Sequence, residues 1–405
     1  GVFPEGIRTV WTQSPSIFIN VVFACLLLGE AIPPVKVIWR KAAPQVVFGM
    51  TLGFGQYVVG ALVTLLILIP FFGASPVAAS LIEISFAGGH GTAGGMIGTF
   101  DQLGFSDGGD LALALATVGL VTSIILGTAL ADWGRRKGHV VSVNAKVAKP
   151  EEIPDLHLRT KTPAQRQRRE QLFQQFQMDM LTLNIAFVGV AIAIGWMLLT
   201  ALNWFESITW GRGGLELFSF VPLFPLALIG GIITQYGLDR TDRSALISRT
   251  LIQNIAGLAL DIVVTTAIAT MSLQAIGSNL GVFLTLAIVG VLWALFMFLW
   301  YAPRLFPSFW FEKGMGDFGQ AMGVTSTGIL LMRMVDGDNH SGAFESFAYK
   351  QIFFEPILGG GLITAISPAL IGRFGLVPFL GFVSVLLLVW FWIGHRLNRN
   401  HRAHP

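Results

Sequence analysis

Two polar, glycine-rich runs hold the residue types with the most chemistry to offer. The first is Phe86-Ala87-Gly88-Gly89-His90-Gly91-Thr92; the second is Gly314-Met315-Gly316-Asp317-Phe318-Gly319-Gln320-Ala321-Met322-Gly323-Val324-Thr325-Ser326-Thr327. Each interrupts sequence that is otherwise apolar over membrane lengths. Hydrocarbon offers no water to backbone N–H and C=O groups, so irregular chain at that depth persists only inside protein or beside a water-filled cavity. Glycine lets a helix unwind and lets backbone approach a ligand closely. A half-helix that starts at such a break presents free N–H groups and a positive dipole end, both suited to a carboxylate. Exposed carbonyls with Thr or Ser hydroxyls suit a hard cation such as Na⁺. Paired breaks, one in each half of a chain, are a pattern of secondary transporters.

On that reasoning Gly88, Gly89, His90, Gly91 and Thr92, with Gly323, Thr325, Ser326 and Thr327, are the candidate substrate-binding residues. His90 reads as a polar anchor for the first break, with or without a touch on substrate, and no neighbouring Cys or His gives it metal spacing. Glu83 is either its partner or faces an external vestibule. Ionisable residues at membrane depth are functional candidates because burying them is costly. Asp261 leads them, as a Na⁺ ligand or a participant in proton coupling. Asp317, Gln320 and Glu355 are the other candidate Na⁺ ligands, Glu355 beside Pro356 where backbone groups are freed. Arg333 pairs with a substrate carboxylate or snorkels to the surface. Gly359-Gly360-Gly361 needs no more than close helix packing.

The elements that must position these runs are transmembrane helices. The chain of 405 residues is 53% hydrophobic and 12% charged, where soluble domains carry about 25% charged residues. Membrane-length apolar runs recur along almost its whole length. The fold class is therefore an all-α polytopic membrane protein without a separate soluble domain. In the first half, helices fall near Pro15–Val37, Pro44–Phe71 and Asp110–Trp133, with the first break in a segment near Pro76–Phe100. In the second they fall near Met180–Leu202, Leu217–Gly237, Ile252–Ala275 and Gly281–Pro303. The segment Gly314–Met334 and a helix near Gln351–Ile371 follow, and one more near Val377–Ile393 precedes the tail. Trp11, Trp204, Trp210, Trp300 and Trp310 near span ends fit an interfacial belt. The single cysteine, Cys25, excludes an internal disulfide.

Positive charge orients this plan. Between Gly134 and Glu170 there are ten Lys or Arg against four Asp or Glu, which places the connector in the cytoplasm. Counting outward, Arg240, Arg243, Arg249, Arg304 and Lys313 fall inside, as do Arg40 and Lys41. Ser272–Leu280 falls outside and holds no Lys or Arg. The tail, with Arg396, Arg399 and Arg402, falls inside if Gly314–Met334 re-enters from the cytoplasm, while the first break enters from outside. Opposite re-entry is what an inverted duplication requires. The organisation expected is residues 1–134 as a first inverted repeat and 135–176 as a basic cytoplasmic connector beside anionic lipid. Residues 177–371 form a second repeat, and 372–405 an added helix and basic tail.

At the two breaks the sequence resembles the glutamate:sodium symporters. Gly88-Gly89-His90-Gly91-Thr92 is similar to that family's Ser-Gly-Gly-His-Gly-Thr motif, with Ala87 in the serine's place. The family's second motif, Gly-His-Cys-Gly-Phe-Gly-Leu-Gly-Ala-Thr-Pro-Thr, matches at Gly316, Gly319, Gly323, Thr325 and Thr327. Asp317, Phe318, Gln320, Ala321 and Ser326 replace its histidine, cysteine, phenylalanine, glycine and proline. The resemblance runs more weakly from about Gly1 to Ile371. It implies two inverted five-helix repeats, each with a re-entrant segment, an elevator-type movement, homodimers, and a bacterial inner membrane location. It further implies Na⁺-coupled symport of L-glutamate or a related small carboxylate, with no cofactor beyond Na⁺ as the coupling ion. Against that pattern the first half lacks two N-terminal helices, which sets the expectation that they precede Gly1 in the full protein.

Other functions fit the residues less well. Phosphate-loop chemistry lacks its lysine after the glycines. No Ser–His or metal constellation marks an enzyme. Nucleic-acid binding would need aromatics interleaved with the basic residues of the connector. A transporter of another organic anion, of the 2-hydroxycarboxylate kind and coupled to Na⁺ or H⁺, remains the nearest alternative. A channel predicts a continuous polar pore and no duplicated breaks.

Overall fold

The computed structural model describes residues 5–30, 32–140, 179–213, 216–241 and 243–403. Most of the basic connector expected at 135–176, and the polar stretch from Gln165 to Gln177, lie outside the described residues. Among the described residues every regular element is helical. Six of these helices are long and apolar enough to cross a membrane: Val35–Phe72, Gly108–Lys137, Met180–Ile208, Arg249–Thr270, Leu280–Leu305 and Leu376–Arg399. Exposed Trp196, Leu292 and Leu388 are typical of their outer faces. Helices apolar on the outside as well as the inside have hydrocarbon for a solvent.

The chain forms two compact units. Unit 1 gathers α1 (Glu5–Cys25), residues 94–99, α7 (Met180–Ile208), α8 (Phe224–Arg240) and α9 (Arg249–Thr270). Small residues set its helix spacing. A Cβ on Gly195 of α7 would lie 2.6 Å from Ala227 N of α8, and one on Gly231 would lie 2.5 Å from Ala24 O of α1. Such close approach is how membrane helices gain packing energy without a hydrophobic drive between them. Asp179 caps α7 by accepting from Thr182 N at 3.1 Å. Arg249 closes the other end of α1: its guanidinium donates to the carbonyls of Cys25, Leu26 and Leu28 and pairs with Glu30 at 2.7 Å.

Unit 2 holds α2 (Val35–Val63), α3 (Leu81–Phe86), α4 (Gly89–Gly95, to Ala93), α5 (Ile97–Gln102, from Phe100) and α6 (Gly108–Lys137). From the second half it takes α10 (Leu280–Phe296), α11 (Trp310–Val335), α12 (Ala343–Phe354), α13 (Leu362–Phe374) and α14 (Leu376–Ala403). Helix α6 carries Asp110 in its first turn and Arg135, Arg136 and Lys137 in its last, with Gly138 left-handed beyond. Charge and cap both favour a long helix there. Its first turn is tied to the second half, for Asp110 accepts from Ser272 N and Asp107 from Asn279 Nδ2, each at 2.8 Å.

Several expected helices differ from those observed. The one expected over Pro15–Val37 ends at Cys25, and α2 starts at Val35. Gly29 turns the chain at φ +84° and Pro33-Pro34 cannot continue a helix. The helix expected over Gln351–Ile371 is α12 and α13 with a break between them. There Gly359 and Gly360 take φ of +66° and +102°, so the glycines make a turn and not only a packing surface. The helix expected over Val377–Ile393 is longer, α14.

Candidate functional site

Both breaks form where the glycine runs place them. Helix α3 stops at Phe86, Gly88 closes its last turn on the Glu83 carbonyl, and α4 restarts at Gly89 with φ +69°. In α11 the helix is interrupted at Gly323 (φ −151°, ψ 33°) and Val324 (φ 64°, ψ 173°). The Val324 conformation belongs to a region that is essentially glycine's, costing about 1–3 kcal/mol for a side chain. The two breaks meet: a Cβ on Gly89 would lie 2.2 Å from Val324 Cγ1. Only glycine fits at that contact.

Helix α6 supports both. His90 Nε2 lies 2.9 Å from Thr117 Oγ1. Two residues on, Gly119 makes room for the Met322 carbonyl, which a Cβ would approach to 2.4 Å, and Gly323 packs beside Ser123. His90 thus ties the first break to α6, with Thr117 and not Glu83 as its hydrogen-bond partner.

Behind the second break lies a buried polar chain. Lys350 of α12 is fully buried, 2.9 Å from Asp317 Oδ1. Its ammonium also donates to Gln351 Oε1 at 2.8 Å and to Gln320 Oε1. Gln45 of α2 donates to the other Asp317 oxygen. Gln351 Nε2 in turn donates to Thr325 Oγ1 and, at 3.1 Å, to Glu355 Oε1, while Thr325 donates to the same carboxylate at 3.0 Å. The three candidates Asp317, Gln320 and Glu355 are therefore brought together with Thr325. Thr327 turns inward and donates to the Gly323 carbonyl.

Glu83 is fully buried. Its carboxylate accepts from Tyr57 Oη at 2.6 Å, Gly359 N at 2.7 Å and Thr364 Oγ1 at 2.9 Å. Neither expectation for it holds, because it clamps the turn between α12 and α13 to α3. The three donors satisfy oxygens that burial has removed from water.

A narrow cleft runs between these groups, lined by Gly53, Gln56, Ala87, Asp317, Gln320 and Phe354 among others. Gln56 donates to the Ala321 carbonyl at 2.7 Å, and its Oε1 has no partner among the described residues. Thr92 Oγ1, on the first break, is likewise buried and without a hydrogen bond. Such orphaned oxygens are rare enough to require an explanation, and a ligand is one. The remaining candidates fall elsewhere. Ser326 and Arg333 are exposed, and Asp261 is exposed on α9 of unit 1.

The residues missed from sequence had a signal. Gln45, Gly49, Gly53 and Gln56 recur at helical spacing along α2, so one face of an apolar span is polar and small. Lys350 stands one residue before the span expected at Gln351, where a lysine reads as an interfacial residue.

The sequence matches the family model described as sodium/glutamate symporter over residues 17–336. No curated protein and no solved structure matches the chain.

Proposed function

The chain belongs to the sodium/glutamate symporter family, and from that premise we propose Na⁺-coupled symport of L-glutamate or a related small carboxylate. The observation that carries the reading is the meeting of Gly89 with Val324, beside a buried, unpartnered Thr92 hydroxyl. Substrate binds at the paired breaks, its carboxylate on the freed backbone N–H groups and hydroxyls of Thr92 and Thr325. Na⁺ binds on oxygen donors in the same unit. Coupling requires that each bind better when the other is present.

An inverted duplication has support in a detail of the helices. The rod that begins with α2 carries a π-helical turn at Thr64–Leu68 followed by Pro70, and the one that begins with α10 carries such a turn at Met297–Tyr301 followed by Pro303. Such turns are rare and gather at functional sites. The spacing that separates Thr64 from Met297, and Pro70 from Pro303, also separates Thr92 from Thr325. The two threonines are then equivalent positions of the two repeats. Both halves of the chain contribute to both units, which suits an elevator in which unit 2 carries the cargo and unit 1 is the scaffold and homodimer contact. In a bacterial inner membrane, the connector and C-terminal tail would lie in the cytoplasm.

A second reading has its own observation. Ala87 and Asp317 both line the cleft, and both replace residues of the resembled family's motifs. The anion carried would then be another organic anion, of the 2-hydroxycarboxylate kind, driven by Na⁺ or H⁺. The test is uptake of radiolabelled L-glutamate into proteoliposomes under an inward Na⁺ gradient, with unlabelled aspartate, malate and citrate as competitors. Saturable, Na⁺-dependent accumulation supports symport of glutamate. Its absence from folded protein, with malate or citrate taken up instead, moves the assignment to the second reading.

A further inference from the structure

Three side-chain oxygens surround Lys350 Nζ. Asp317 Oδ1 is 2.9 Å away, Gln351 Oε1 is 2.8 Å away, and Gln320 Oε1 makes the third contact. An ammonium has three N–H donors and no acceptor; Lys350 donates to the two amide oxygens and pairs by charge with Asp317 Oδ1. Lys350, Asp317, Gln320 and Gln351 are all buried, at 0%, 1%, 3% and 6% exposure. The rings of Phe347 and Phe354, with centroids 4.9 Å and 4.2 Å from Nζ, complete the enclosure. One carboxylate and two amide oxygens around an enclosed unit charge is a donor set that a dehydrated alkali cation would also accept. Asp317 and Gln320 are residues that the sequence alone marks as Na⁺ ligands, and here they hold a side chain.

We propose that the Lys350 ammonium is a tethered cation occupying an alkali-cation site built from Asp317, Gln320 and Gln351, and that this site takes no Na⁺ in the native chain. The inference rests on the reading that unit 2 carries a cation-coupled site, and it divides that reading in two: Na⁺ acts elsewhere, and one positive charge is built in. The tethered charge also has a route to the second break. Gln351 Oε1 accepts from Lys350, which turns its Nε2 toward Thr325 and Glu355. An ion that came and went would free that amide; a tethered one keeps it set.

The experiment is equilibrium binding of ²²Na⁺ to the purified full-length protein, comparing the native chain with Lys350→Ala and with Lys350→Ala/Asp317→Asn. Truncation of the lysine leaves a space bounded by the three oxygens. Lys350→Ala is expected to bind one more Na⁺ per chain than the native protein, and the added Asp317→Asn is expected to abolish that gain. Equal Na⁺ counts in the native chain and folded Lys350→Ala would overturn the proposal. If Lys350→Ala does not fold in choline, its recovery as folded protein in Na⁺ supports a vacated cation site. Failure to fold alike in choline and in Na⁺ overturns it, since the three oxygens then cannot hold an ion. None of these counts depends on uptake, so a native chain that moves no glutamate sinks the substrate assignment and leaves this comparison intact.

Discussion

Replacing Gly89 by alanine tests whether the two breaks act as one site. Gly89 has φ +69°, and its added Cβ would lie 2.2 Å from Val324 Cγ1. The left-handed backbone alone costs an L-residue about 1–2 kcal/mol. Overpacking adds about 1–3 kcal/mol, and the neighbour has little freedom to yield because Val324 is itself held at φ 64° and ψ 173°. The sum is about 2–5 kcal/mol against the arrangement in which the breaks touch, or at least about 30-fold in its equilibrium constant. Gly89→Ala should therefore lower Na⁺-driven uptake at subsaturating substrate by about tenfold or more. The protein should remain folded in detergent. Gly98→Ala is the control, because a Cβ there meets nothing within 4 Å. Adding Val324→Ala removes the clashing methyl but not the backbone penalty, so the double variant should recover part of the loss and not all of it. Native uptake by Gly89→Ala, or no recovery in the double variant, would refute the argument that contact of the breaks matters for transport.

Three further predictions follow from the buried polar groups. Asp317→Asn leaves Lys350 without its carboxylate and should lower thermal stability sharply, by about 3–5 kcal/mol in magnitude; pairing it with Lys350→Met should restore most of the melting temperature. Glu83→Ala leaves Gly359 N–H, Tyr57 Oη and Thr364 Oγ1 without their acceptor. Each orphaned group costs about 1–3 kcal/mol, so thermal unfolding should fall by many degrees, and Glu83→Gln, which keeps an acceptor oxygen, should fall less. Thr92→Val removes a hydroxyl that has no hydrogen-bond partner among the described residues. It should leave the melting temperature near native while raising KM for substrate several-fold, up to about tenfold, as loss of one hydrogen bond of roughly 0.5–1.5 kcal/mol predicts.

The spans were legible because apolar runs of membrane length are a strong signal, and the breaks because glycine beside His or Thr is costly in hydrocarbon unless it is used. Which groups meet was less legible. Asp317, Gln320 and Glu355 were marked individually by polarity, and the structure does join them, but through Lys350 and Gln351 of a helix whose start was misplaced. Asp261 has the same sequence signal as Asp317, a carboxylate within an apolar run, yet it is exposed on α9. Hydropathy reports depth and not the facing direction, and the small amphipathic bias of a membrane helix cannot supply it. The Gly359 turn was hidden for a related reason. A Gly-rich run reads equally as packing or as a turn until an acceptor such as Glu83 is placed against its N–H group.

The two buried ionisable residues, Glu83 and Lys350, then acquire a common explanation. Each break in this chain leaves backbone and hydroxyl groups that hydrocarbon cannot satisfy. Near the first, Glu83 offers a carboxylate to the N–H and hydroxyl donors of the α12–α13 turn. Near the second, Lys350 offers an ammonium to three side-chain oxygens, one of whose amides continues to Thr325. Helix α12 ends between them, since Lys350 lies in its last turns and Gly359 just beyond it. A shift of α12 would therefore disturb both clamps together. Helix α12 is thus a further connection between the two breaks, beside α6 and the direct contact of Gly89 with Val324. A double-mutant cycle between Glu83→Gln and Lys350→Met should accordingly show a coupling energy above the roughly 0.5 kcal/mol expected of independent sites, and strict additivity in thermal unfolding would mean that the breaks are held separately.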